Sequence, residues 1–239
     1  LNTRVQQAPR QRQALTTLAL IKIATDDQDK AAAQMDSRPA AQLSSEERNW
    51  VWGVIGKQAA TKLQDNAVTY FAKVTRSQAL SDDLLAWQAR AALRQRQWPM
   101  VQSAIQAMSD GARQDSAWTY WLARAQLAQA RTDGDKAAAR ALLERIAGPG
   151  GFYEKLAQEE LGRAIHMPPA PTPLTAAERD AARRHAGLGR ALQAIGLGLR
   201  SEGVREWNYW TNLHDSGGLS DRELYAAADL ACERQVWDR

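Results

Sequence analysis

The segments WQARAAL (residues 87–93) and WLARAQL (residues 121–127) are identical at five of seven positions and lie 34 residues apart. A second echo, DKAAA, begins at Asp29 and again at Asp135, and this spacing of 106 residues is close to three such periods. A period of about 34 residues is typical of proteins built from stacked helical hairpins. Because two unrelated segments agree on one period, the sequence predicts an all-α fold, a right-handed superhelix of stacked helical hairpins that forms a tetratricopeptide-like (TPR-like) α-solenoid.

The composition favours helices and argues against several classes of function. Only two of the 239 residues are phenylalanines, whereas nine are tryptophans, and alanine, leucine, glutamine and arginine dominate. The 31 basic and 27 acidic residues give a net charge of +4, with no block rich in lysine or arginine, so we expect no nucleic-acid partner. No stretch approaches the roughly 20 apolar residues that a membrane-spanning helix needs.

The chain lacks the residues of a metal site and the motifs of common active sites. Cys232 is the single cysteine, and His166, His185 and His214 are far apart in sequence, so we expect no disulfide, no metal and no cofactor. No nucleophile elbow, phosphate-binding loop, dinucleotide fingerprint or zinc-protease motif occurs. The glutamates lie in helix-opening turns or on helical surfaces, and we expect no His185–Cys232 pair.

The hydrophobic pattern predicts four hairpins, one extra helix and then four more helices. Residues 1–163 are predicted to form the hairpin repeats, residues 164–174 a proline-rich linker with four prolines in six positions, and residues 175–239 further helices that continue the superhelix. Ser44 or Ser45, Ser81 and Thr175 are expected helix caps. The predicted helices cover about residues 10–24 and 28–36, 45–59 and 65–75, 82–94 and 98–109, 116–130 and 135–147, 152–162, a helix capped by Thr175, and then 187–199, 202–213 and 220–235.

Two interpretations are open for the aromatic residues: they pack between helices, or they bind a ligand. Trp87 and Trp121 lie at equivalent repeat positions, which favours packing between hairpins. In EWNYWTNL (206–213), Trp207 and Trp210 share one helical face, which again favours packing. Tyrosines that fall off the tryptophan face could instead stack on a sugar ring. The candidate ligand-binding residues are therefore Tyr120 and Tyr209, together with the repeat-equivalent arginines Arg90 and Arg124.

The arginines also have a structural interpretation. Arg90 and Arg124 could pair with acidic residues of the neighbouring hairpin, and this is the interpretation that we favour. Further along the chain, ERDAARRH (178–185) clusters Arg179, Arg183 and Arg184. We expect that row to be a solvated face paired with Glu178 and Asp180, with ligand binding as the alternative.

Residues 116–162 resemble the soluble lytic murein transglycosylase family. The resemblance rests on AWTYWLARAQLA (117–128), on AAARALLERIAG (137–148) and on GFYEKLAQEELG (151–162), in which Glu154 stands where many relatives have glycine. The later segments GLGLRSEGVREW (196–207) and ACERQVWDR (231–239) are similar to the helices that precede the family's catalytic domain. In all, the likeness extends over about residues 45–235.

The resemblance implies a function for the longer protein to which this chain would belong, and it assigns no catalytic role to the chain itself. Members of the family are periplasmic enzymes that cleave the bond between N-acetylmuramic acid and N-acetylglucosamine in peptidoglycan, without a cofactor, and leave a 1,6-anhydromuramoyl end. Their catalytic glutamate lies in a lysozyme-like domain, in a Glu-Ser motif followed by Gly-Leu-Met-Gln. Neither motif occurs here, so no catalytic residue can be assigned to this chain.

We therefore expect a non-catalytic, superhelical part of such an enzyme. Its partners would be glycan strands and the enzyme's own lysozyme-like domain, and its glycan binding would be weak. Because the sequence opens on Leu1 instead of a methionine, we also expect it to be a piece of a longer protein. The alternative is a TPR-like scaffold that binds other proteins and has no enzymatic role.

Overall fold

The computed structural model describes residues 9–166, 169–212 and 218–237, and every regular element in these ranges is helical. The predicted all-α fold is thus confirmed. His214 and the predicted end of its helix at residue 213 lie outside the described residues. The chain forms two compact units, residues 1–168 and residues 169–239.

Unit 1 contains eleven α-helices within its described residues, and most of them pack against the helix that follows in the chain. A 3₁₀ turn, Ser77–Ala79, lies between the helices Ala67–Phe71 and Asp82–Arg94. The helices are α1 (Pro9–Asp26), α2 (Gln28–Gln34), α3 (Arg38–Ala41), α4 (Ser45–Thr61), α5 (Ala67–Phe71), α6 (Asp82–Arg94), α7 (Trp98–Ala107), α8 (Asp110–Arg113), α9 (Ser116–Gln129), α10 (Asp133–Ile146) and α11 (Phe152–Glu160).

The four predicted hairpins are α1 with α2, α4 with α5, α6 with α7, and α9 with α10. The two WxARAxL echoes lie in α6 and α9, which are both the first helix of a hairpin. The two DKAAA echoes both lie at the start of a second helix, with Asp29 in the first turn of α2 and Asp135 in the first turn of α10. The sequence period is therefore the period of the hairpins.

Side-chain caps set most of the helix starts. Ser44, not Ser45, caps α4, and its hydroxyl accepts from the backbone N–H of Glu47 while the Glu47 carboxylate accepts from the N–H of Ser44. Ser81 caps α6 as predicted. Thr132 and Asp135 form a further reciprocal box at α10, within a segment that the sequence marks only as a turn.

Three elements differ from the predicted bounds for local reasons. The helix predicted over 65–75 is short, covering Ala67–Phe71, because the buried Asn49 side chain accepts from the backbone N–H and the hydroxyl of Thr75 and holds the chain away from the helix. The four-residue helices α3 and α8 were not predicted. Ser37 and Ser109 cap them, and a single turn leaves no hydrophobic periodicity in the sequence.

The core of unit 1 is divided into small clusters that lie between successive layers. α4 packs on α6, α7 on α9, and α10 on α11. Trp121 contacts both the cluster of α6, α7 and α9 and the cluster of α9, α10 and α11. Each hairpin therefore completes its core with side chains of the next, as in a stack of repeats.

Unit 2 contains four helices among its described residues: α12 (Ala176–Arg184), α13 (Ala186–Gly196), α14 (Arg200–Asn212) and α15 (Asp221–Glu233). α13 packs along α14, and α12 packs on α15. One cluster joins all four helices and includes Leu188, Ala191, Trp207, Ala227 and Leu230.

Glycine allows α13 and α14 to approach closely. A Cβ atom added at Gly203 would lie 2.6 Å from the carbonyl oxygen of Ala191 and 3.0 Å from the backbone nitrogen of Ile195. Both atoms belong to the α13 backbone, so a side chain at this position requires the helix itself to shift.

We predict that Gly203→Ala lowers the free energy of unfolding by about 1–3 kcal/mol, the usual range for overpacking. The control is Gly189→Ala on α13, where an added Cβ has no neighbour within 4 Å. That variant should be neutral or more stable, by up to about 1 kcal/mol, because alanine is the better helix former. Urea unfolding followed by circular dichroism measures both. Equal effects of the two substitutions would contradict a close approach at Gly203.

Candidate functional site

The repeat-equivalent tryptophans lie between helical layers. Trp87 packs against the cluster formed by α4, α5 and α6, and Trp121 lies between two clusters. Both indoles are partly buried, and neither lines an open cavity among those found in the described residues. The prediction that they hold hairpins together is confirmed.

Arg90 links two hairpins through aromatic rings and not through an acidic residue. Its guanidinium carbon lies 5.0 Å from the ring centre of Trp87 and 5.2 Å from that of Trp118. Trp87 is on α6 and Trp118 on α9, so one cation contacts two successive hairpins. The favoured interpretation for Arg90, an ion pair with the next hairpin, was therefore wrong. Two electron-rich rings occupy the position expected for the carboxylate.

Arg124, the equivalent residue one repeat later, does form the expected ion pair. Its guanidinium contacts the carboxylate of Glu160 on α11, donates to the Tyr120 hydroxyl at 3.0 Å and lies 5.9 Å from the Tyr120 ring centre. We call the set Trp87, Arg90, Trp118, Tyr120 and Arg124 the arginine–aromatic ladder. It runs across α6 and α9 and is tied to α11 through Glu160.

Tyr120 does not provide the open ring that the sequence suggested. Only 3% of its surface is exposed, and burial raises the pKa of its hydroxyl. The expectation of a free sugar-stacking face at Tyr120 was wrong, because α11 returns to cover the side of α9 that lies off the tryptophan face. The Tyr153 ring centre is 5.6 Å from that of Tyr120.

The segment FYEKLAQEELG has a structural explanation in α11. Tyr153 accepts a long hydrogen bond of 3.4 Å from the Trp121 indole, and Ala157 is fully buried against α9 and α10. Gly162 has φ of +74° and ends the helix, with its N–H donating to Glu159 and the N–H of Arg163 donating to Gln158. Phe152 is 69% exposed and is the open ring at this end of unit 1.

Unit 2 carries two adjacent rings that remain accessible. Tyr209 is 53% exposed and Trp210 is 36% exposed, and their ring centres are 5.3 Å apart at a steep angle. We call this pair the aromatic shelf. Trp207, by contrast, is 5% exposed and belongs to the core, as predicted.

The Trp210 ring is held on three sides. It packs directly on Gly187, where an added Cβ would lie 2.3 Å from the indole. Its N–H donates to the Glu206 carboxylate at 3.0 Å, and the His185 ring centre lies 5.1 Å away. Arg190 in turn contacts Glu206 at 2.6 Å, and this arginine together with the indole N–H lowers the pKa of Glu206. The Trp210 ring is therefore held in place by α13, by Glu206 of its own helix and by His185, which precedes α13.

The arginine row of α12 pairs mainly with α15. Arg179 lies 3.0 Å from Asp229, and Arg183 lies 2.8 Å from Glu233 and 3.4 Å from Asp180. The expected pairing with Asp180 is present, but the pairing with Glu178 is wrong. Glu178 is held by Arg222, which donates to both of its carboxylate oxygens.

The described residues contain no group of three or more His, Cys, Asp or Glu side chains that could hold a metal ion. Cys232 is a free, exposed thiol. No helix in the described part of the chain is long and apolar enough to cross a membrane.

Both units are all-α, and unit 1 is a stack of helical hairpins whose aromatic and arginine side chains mainly join one layer to the next. No protein-family model and no curated protein matches the chain. Several solved structures, however, are similar to it. The lytic transglycosylase Slt of Pseudomonas aeruginosa, solved as an inactive mutant, superposes with a TM-score of 0.63 and 25% identity, over 93% of this chain and 35% of that one.

The 70 kDa soluble lytic transglycosylase of Escherichia coli is also similar, with a TM-score of 0.60 and 18% identity over 96% of this chain. Its complex with bulgecin A gives 0.57 and 18% over the same share. The chain spans 35–38% of the length of these structures. The resemblance to soluble lytic transglycosylases that the sequence suggested is confirmed by the structural comparison.

We predict that Arg90→Met lowers the free energy of unfolding by about 1 kcal/mol, because methionine keeps the apolar stem and removes the cation from two rings. The control is Arg140→Met on α10, since Arg140 is exposed and has no ion pair or ring contact among the described residues. It should change stability by less than about 0.5 kcal/mol. Urea unfolding of both variants measures the difference, and equal losses would show that the two rings do not hold Arg90.

A second prediction concerns the Glu178–Arg222 pair. Hydrogen bonds from Arg222, and then from Thr175, lower the pKa of Glu178 from 4.5 to about 2. A carboxyl group with a lowered folded-state pKa stabilises the fold above its unfolded value, and this contribution disappears as pH falls from about 5 towards 2. Glu178→Gln, which keeps a side chain able to complete the capping box, should therefore lower Tm at pH 7 but not at pH 2.

The control for this experiment is Glu202→Gln, because the exposed Glu202 carboxylate lies 3.2 Å from Arg205 in the same unit. Its Tm difference from the parent chain should stay small across the same range, as expected for an exposed ion pair. A Glu178→Gln difference that does not vary between pH 7 and pH 2 would refute the assignment.

Proposed function

We propose that this chain is the superhelical, non-catalytic part of a lytic transglycosylase that acts on peptidoglycan. The observation that carries the proposal is the match of 93% of the chain to 35% of the P. aeruginosa lytic transglycosylase Slt, at 25% identity. The sequence is consistent with it, because its 239 residues contain no Glu-Ser motif followed by Gly-Leu-Met-Gln. The cleavage to 1,6-anhydromuramoyl ends then belongs to a lysozyme-like domain outside these residues.

In this proposal, the role of the chain is to guide glycan strands in the periplasm towards that active site. Two features support weak contact. The ladder arginines are already engaged, Arg90 by two indoles and Arg124 by Glu160, so they do not offer free charge to a strand. Among the described residues, the most exposed aromatic rings are Phe152 in unit 1 and Tyr209 and Trp237 in unit 2. Such a surface allows a polymer to bind at several points and still slide.

Co-sedimentation with purified peptidoglycan sacculi tests this function. We expect a minor fraction of the chain to sediment with sacculi at low salt, above a control protein of similar size and charge, and less to sediment at moderate salt. We also expect no release of anhydromuropeptides, measured by chromatography with mass spectrometry.

Two results would count against the proposal. Release of anhydromuropeptides would place a catalytic site within this chain. No sedimentation above the control protein would remove the glycan-guiding role and favour the protein-binding scaffold.

A further inference from the structure

A cavity of about 580 Å³ lies in unit 2. α12, the start of α13 and the start of α15 form its walls. Much of its lining is small and apolar, including Ala177, Ala181, Leu188 and Leu219. Polar side chains from α12, α13 and α15 complete it. The cavity thus offers a shallow apolar floor with charged groups beside it.

Most charged side chains that line the cavity already have hydrogen-bond or ion-pair partners within the protein. Arg222 donates to Glu178 and to the carbonyl oxygens of Thr172 and Pro173. Glu178 also completes the cap of α12, and Glu223 accepts from the backbone and hydroxyl of Ser220 to cap α15. A ligand could bind to any of these groups only if a helix cap or an ion pair were broken.

Arg184 is the exception. Arg184 lines the cavity, whereas the neighbouring Arg179 and Arg183 form ion pairs with acidic residues of α15. In the described part of the chain, the Arg184 side chain has no ion pair, hydrogen bond or ring contact. A guanidinium with its donors unused is suited to a carboxylate, to which it can donate two parallel hydrogen bonds.

His185 connects the cavity to the shelf. It lines the cavity, and its ring also lies 5.1 Å from that of Trp210. Its Nδ1 accepts from the backbone N–H of Leu188 at 3.2 Å, so the proton of the neutral ring is on Nε2 and is available as a donor. His185 therefore connects the cavity, which Arg184 also lines, with the Trp210 ring of the shelf.

We infer that this surface binds a muropeptide, that is, an N-acetylated amino sugar carrying a short peptide of small residues with free carboxylates. The inference rests on the proposed function and assigns a subsite to it. The peptide carboxylate meets Arg184, methyl side chains contact the alanine floor, and the apolar face of the sugar lies on Tyr209 and Trp210. Charge and size both favour this occupant over a bare glycan, which has no carboxylate for Arg184 unless its lactyl group is free.

Isothermal titration calorimetry and ¹⁵N–¹H NMR of the 239-residue chain test the inference with two probes. One is the soluble disaccharide of N-acetylglucosamine and N-acetylmuramic acid with its lactyl group amidated by a tetrapeptide. The other is the same disaccharide with its lactyl carboxylate blocked as a simple amide. We expect the peptide-bearing probe to bind about tenfold more tightly, as expected for a charge-assisted contact, and to shift the amide signals of Ala177 and Ala181.

Three variants and one control variant locate the binding site. Arg184→Gln should reduce the affinity for the peptide-bearing probe to that of the blocked disaccharide, whereas Arg140→Gln, the same change at an exposed arginine of unit 1, should leave it unchanged. Ala181→Leu fills the cavity with a good helix-forming residue and should abolish the effect of the peptide. Tyr209→Ala should weaken both probes. Thermal unfolding verifies that each variant is folded.

Equal affinity for the two probes, or equal effects of Arg184→Gln and Arg140→Gln, would overturn the inference. Its failure is distinguishable from failure of the proposed function, because sacculi then still retain the chain while the muropeptide shifts no signal of unit 2. If sacculi do not retain the chain either, both proposals fail together.

Discussion

The structure depends on the inability of one helical hairpin to bury its own apolar face. Each hairpin of unit 1 leaves one side open, and side chains of the next hairpin close it. Trp121 makes this dependence visible, because its indole belongs at once to the cluster on each side of α9. The fully buried alanines Ala123 and Ala125 on the same helix let the neighbouring helices approach to where the indole can bridge them. Large and small side chains on one helix are therefore two parts of one packing arrangement.

The arginine–aromatic ladder follows from the same requirement. Each repeat arginine lies over a ring of the preceding turn of its own helix, Arg90 over Trp87 and Arg124 over Tyr120. Stacking the hairpins at a fixed period then brings a second aromatic or acidic group to each guanidinium. For Arg90 that group is Trp118, and for Arg124 it is Glu160. The repeat thus specifies where the cation lies, whereas the partner depends on the next hairpin. A surface whose cations are used in this way holds its own layers together and has little charge to offer to a ligand.

The sequence predicts what is local and periodic, and it fails where the partner is distant. Helix order, the hairpin pairing and the caps at Ser44, Ser81 and Thr175 follow from spacing and from capping chemistry, which act over a few residues. The burial of Tyr120 could not be predicted from α9, because α11, which covers it, comes about 30 residues later. Likewise, Glu178 has near arginines in sequence but pairs with Arg222, 44 positions away. The position of Trp210 depends on Gly187, a residue with no side chain to signal the contact.

These differences also explain why candidate binding residues were harder to predict than the fold. Residue type alone ranks Arg90, Arg124 and Arg184 equally, since each is a cation on a helix. The structure separates them by what each guanidinium contacts. Arg90 contacts two rings and Arg124 a carboxylate, whereas Arg184 lines a cavity and forms no ion pair with the described residues. A cation is useful to a ligand only if binding does not require it to abandon an existing partner, because the lost contact would offset the gain. By that criterion the recurring arginines of the repeat are the least suited to recognition, and an arginine outside the repeat is the best suited.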